Sequence, residues 1–76
     1  MSRTTSPWRV NDVVAYDRMR DTATTVFALL HAASQPEELA NLRRDVFTVD
    51  AYDRSAVDAL TALLQSRLRE LSAADA

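Results

Sequence analysis

No glycine occurs anywhere in the 76 residues, and that absence narrows the fold more than any residue present. Glycine gives tight hairpin turns their positive φ without strain and lets a loop's backbone close around a phosphate. A chain lacking it is poorly suited to a β-rich fold, and it carries neither a P-loop nor a dinucleotide-binding fingerprint. Helix is what remains, and the spacing of apolar residues supplies it.

The strongest helical signal runs from Ser55 to Leu71. Ala56, Val57, Leu60, Leu63, Leu64, Leu68 and Leu71 recur at steps of three and four, the period of one helix face. Asp58, Thr61, Gln65, Arg69 and Glu70 fill much of the remaining circumference, so the helix is amphipathic. Leu60, Leu64, Leu68 and Leu71 read as a core seam. Val57 and Leu63, on the flank of that line, are candidate contacts for a second chain. Asp50, Asp53 and Ser55 each qualify as the capping residue that starts this helix.

A longer helix precedes it. Asn11 or Asp12 can cap its start, and Tyr16, Met19, Ala23, Val26, Leu30 and Ala33 alternate steps of three and four through it. Thr22, Thr24 and Thr25 lower the intrinsic propensity at its centre, so packing must hold it. Pro36 cannot continue that helix but fits a first turn, and Ser34 and Glu37 stand at capping-box spacing, so a second helix starts here. Leu39, Leu42 and Val46 give it an inward face. Phe47-Thr48-Val49 interrupts the spacing, and the sequence leaves open whether this strip is extended or helical.

The expected fold is therefore all-α, with three helices at about 12–33, 36–46 and 54–71, long, short and long. Residues 1–7, rich in Ser and Thr, read as a flexible arm, residues 8–72 as one helical domain, and residues 73–76 as a frayed end. A first helix roughly 30 Å long beside a second of about half that length leaves apolar stripe uncovered, and a homodimer is the expected way to cover it. Ala15-Tyr16-Asp17-Arg18 recurs as Ala51-Tyr52-Asp53-Arg54, 36 positions on. The buried stripe does not carry over at that offset, which argues against a duplicated unit.

Composition removes several functions. There is no Cys and one His, His31, so neither a Cys-based nor a His-rich metal site can form. Asp45, Asp50, Asp53 and Asp58 lack the alternating ligand spacing and turn glycine of a calcium loop and read as caps and solvated helix surface. His31 has no nucleophile or carboxylate motif beside it and sits where a cation suits a helix C-terminus. No catalytic residue, cofactor, metal or small-molecule substrate is expected. No apolar run reaches the roughly 18 residues of a membrane span, and the N-terminus lacks the apolar segment of a secretory signal, so the expected location is the cytoplasm.

Nine basic residues, all Arg, stand against eleven acidic ones for a net charge of −2, which disfavours a general polyanion binder. What the sequence fits best is a non-enzymatic helical protein-interaction module, an adaptor or regulator that also self-associates. Trp8, Tyr16, Arg18 and Arg20 are of the side-chain types that anchor interfaces. Each has a structural alternative: Trp8 as a cap on the core, and Arg18 and Arg20 as intrahelical partners of Asp17 and Asp21. The competing function is a small DNA-binding transcriptional regulator or antitoxin-like protein using a basic N-terminal arm, since Arg3, Arg9, Arg18 and Arg20 make the first twenty residues net basic against Asp12 and Asp17. Against it stand the acidic body and the lack of a glycine-containing helix-turn-helix signature.

Overall fold

The computed structural model describes residues 10–74, and all secondary structure within them is helical: α1 (Val10–Ala32), α2 (Pro36–Thr48) and α3 (Arg54–Ala74). The all-α, long-short-long architecture matches the sequence expectation. The proposed arm, Trp8, Arg3 and Arg9 lie outside the described residues.

α1 is the centre of the bundle and packs against both α3 and α2. Three residues join α1 to α2, and Phe47, near the end of α2, lies 5.4 Å from the Arg20 guanidinium, so α2 runs back along α1. Arg54, the first residue of α3, reaches Asp12 in the first turn of α1 at 3.1 Å, while Arg67 further along reaches Glu38 in the first turn of α2. α3 therefore runs parallel to α1, and the bundle is up, down, up.

Met19, Ala23, Val26 and Leu30 of α1 meet Leu42 and Val46 of α2 and Val57, Leu60 and Leu64 of α3 in one apolar core, with no buried polar side chain among the described residues. Leu39, Leu68 and Leu71 pack half-buried against it. The threonines that weaken α1 in isolation turn their hydroxyls onto the backbone. Thr22 and Thr24 each donate at 3.0 Å to the carbonyl four residues back, which satisfies a polar group without drawing on the core.

The helix ends differ from the sequence expectation in instructive ways. α1 already includes Asn11 and Asp12, so neither caps it; Asp12 binds Arg54 instead. Ser34 does not cap α2, whose capping position is Gln35 and carries no side-chain hydrogen bond. Ser34 closes α1, in the left-handed region at φ 58°. The Gln35 N–H donates to the Leu30 carbonyl at 3.0 Å and the Ser34 N–H to the His31 carbonyl at 3.1 Å, the paired bonds of a Schellman motif. In a chain without glycine, a serine fills the position where glycine is preferred.

α2 continues through Thr48, which resolves the undecided strip. Thr48 Oγ1 bonds the Arg44 carbonyl at 2.7 Å and the Val49 N–H bonds the Asp45 carbonyl at 3.0 Å, so helical bonding extends past Val46. Of the candidates for capping α3, Asp53 does so: its Oδ1 accepts the Ala56 N–H at 3.1 Å. Asp50 closes the preceding turn by accepting the Tyr52 N–H at 2.9 Å. The repeated tetrapeptide thus lies inside α1 in one copy and across this turn in the other, so its two copies do not share a conformation.

Candidate functional site: the groove between α1 and α2

The core stripe of α1 runs through residues 19, 23, 26 and 30. Shifted by one residue, about 100° around the helix, runs a second line: Arg20, Thr24, Phe27 and His31. The same shift on α2 takes Leu42 and Val46 to Arg43 and Phe47. Because α1 and α2 pack through their core stripes, these second lines flank the seam and form the walls of a groove of about 430 Å³, with Ala28 and Leu39 completing its lining. That volume lies within the roughly 300–1,000 Å³ of typical ligand clefts.

Phe47 is 60% exposed at the open edge of the groove. The Arg20 guanidinium lies 5.4 Å from the Phe47 centroid and 5.8 Å from that of Tyr16, and its Nη1 donates to the Tyr16 hydroxyl at 3.2 Å. Both ring distances are within cation–π range, which fixes the direction of the cation without neutralising it. Arg43 makes no ion pair among the described residues. The groove is therefore apolar at its base, carries two arginines and one histidine, and includes no carboxylate in its lining.

The side chains singled out in the sequence do not form one site. Arg20 and Tyr16 come together at the groove. Arg18 lies on another side of α1, in a separate depression with Arg54, Asp58, Thr61 and Gln65. The intrahelical pairs with Asp17 and Asp21 that are the structural alternative for Arg18 and Arg20 do not form among the described residues. Leu63 is 51% exposed on α3, beside Glu38, Ser66, Arg67 and Glu70. Val57 is a correction: at 1% exposure it belongs to the core and cannot meet a partner on the folded surface. It precedes Leu64 by seven residues, two turns of helix, and so shares the seam rather than its flank.

The sequence alone does not bring Phe47, Arg43 and His31 together as one surface. Their signal was present, since Arg43 and Phe47 stand four apart and out of phase with Leu42 and Val46. It has meaning only once α2 is known to extend beyond Val46.

Among the described residues no three His, Asp or Glu side chains converge to hold a metal ion, and no helix is long and apolar enough to cross a membrane. Fold and groove together define a small three-helix protein that displays an arginine-edged apolar cleft. No family model, curated protein or solved structure matches the chain.

Proposed function

We propose that this chain is a non-enzymatic protein-interaction module, an adaptor or regulator, and that the α1–α2 groove is its principal binding surface. The observation that carries this reading is Phe47, a large aromatic side chain left 60% exposed in a concave, arginine-edged site of a domain this small. Aromatic and arginine side chains in a cleft are the residue types that dominate binding energy at protein interfaces. The groove holds side chains suited to recognition. Self-association belongs to the same proposal and uses a different face, around Leu63 of α3.

Affinity capture from the native host tests the reading. Wild type and Arg18→Glu, changed on another side of α1, should retain the same stoichiometric partner, and Phe47→Ser should lose it. Leu60→Asp serves as the unfolded control. If wild type retains nothing beyond itself, the module reading is overturned.

A further inference from the structure

We infer that the α1–α2 groove takes an acidic amphipathic helix of another protein, with apolar side chains seated on Phe27, Leu39 and Phe47 and carboxylates directed to Arg20 and Arg43. The inference rests on the groove being the binding surface and adds the chemistry of the occupant. Charge distribution carries it. Acidic residues outnumber basic ones in the chain, yet no carboxylate lines this cleft. The arginines elsewhere on the bundle that touch carboxylates are well supplied, Arg54 by Asp12 and Asp58 and Arg67 by Glu38 and Glu70. Arg18, Arg44 and Arg69 also lack a carboxylate partner among the described residues, but Arg20 and Arg43 converge on one apolar cleft whose lining holds no carboxylate, and the guanidinium fork is best matched by one.

The apolar base chooses among anionic partners. A nucleic-acid backbone needs a row of cations and makes poor use of Phe27, Leu39 and Phe47, and the net charge of −2 opposes its approach. An acidic amphipathic helix uses both features together. The wall of α1 from Arg20 to His31 is about 16 Å long, the length of about three helical turns, which accommodates anchors at i, i+3 or i+4, and i+7. Residues 1–9 of the chain itself, with Arg3 and Arg9 and no acidic residue, have the wrong charge for this cleft.

The test uses a fluorescein-labelled 15-residue helical peptide, Leu on one face and Glu on the other, with a partner peptide in which Lys replaces every Glu. Fluorescence anisotropy at low salt should show the Glu peptide binding wild type at least tenfold more tightly than the Lys peptide. Arg43→Glu, its fold checked by circular dichroism, should reverse that order. Amide shifts on binding should concentrate at α1 and α2 along the groove. Equal binding of the two peptides, no binding of either, or an unchanged order in Arg43→Glu overturns the inference. So does a concentration-dependent dimer that Arg43→Glu dissociates, which would place a second copy in the groove. If the peptides fail while host capture is still lost in Phe47→Ser, the module reading survives and only the acidic-helix occupant falls.

Discussion

Arg67 grips Glu38 through two parallel hydrogen bonds, Nε to Oε2 at 2.6 Å and Nη2 to Oε1 at 2.7 Å, and so joins α3 to the first turn of α2. Its Nη1 also donates to Glu70 at 3.1 Å. Both members of the pair remain about one-third exposed, so solvent screens them. The bidentate geometry still matters, because α1 lies between these helices in the packing order and this pair links them directly.

The pair makes stability depend on pH in a stated direction. The hydrogen bonds from Arg67 hold the Glu38 carboxyl below its ordinary range, more than partial burial raises it. A depressed folded-state pKa contributes stability that is present above the unfolded value near 4.3 and is lost as pH falls through the folded one. Glu38→Gln should therefore cost at most about 1 kcal/mol at pH 7 and should flatten the acid limb of the stability profile. Urea denaturation of both proteins from pH 7 to 3 checks this; parallel loss of stability in the two would refute it.

Ser34→Gly should stabilise the protein. A non-glycine residue in the left-handed region costs about 1–2 kcal/mol, and the added freedom of an unfolded glycine returns roughly 0.4–1 of that. The expected net gain is about 0.5–1 kcal/mol, seen as a higher denaturation midpoint at unchanged slope. Ser34→Val, with a β-branched side chain at φ 58°, should move the midpoint the other way.

These two sites mark how far the sequence could be read. The three helices were legible because Met19, Ala23, Val26 and Leu30, and again Leu60 and Leu64, keep helical spacing and are all buried. The helix junctions were harder. Ser34 and Glu37 matched a capping box, but the Schellman bonds claimed the Ser34 backbone first, and such competition is decided by geometry rather than by residue type. The groove was hidden for a related reason. Its two walls belong to different helices, and the sequence did not determine that α2 lasts long enough to bring Phe47 opposite Arg20.

Asp53→Ala should remove the cap of α3. The side chain satisfies the Ala56 N–H at 3.1 Å, one of the donors a helix start leaves open, and losing it costs about 1 kcal/mol. Asp53→Asn, which retains the acceptor, should recover most of the loss. If both variants fall equally in thermal melts, the negative charge matters at this position and the hydrogen bond does not.

Leu63 and Leu64 are neighbours in sequence with opposite surroundings, and together they separate folding from association. Leu64 is fully buried, and Leu64→Ala should destabilise by about 2–5 kcal/mol, a large share of the roughly 5–15 kcal/mol that domains possess. Leu63 is 51% exposed, and Leu63→Asp should change stability at low protein concentration by about 0.5 kcal/mol or less. If α3 meets a second copy through this face, the same substitution places a carboxylate in an apolar contact and should drive the chain to monomer. Sedimentation velocity across a hundredfold range of concentration reads the difference. Wild type should sediment faster as concentration rises, and Leu63→Asp should not. A wild-type chain that stays monomeric throughout removes self-association from the proposed function and leaves the groove as the sole surface to be tested.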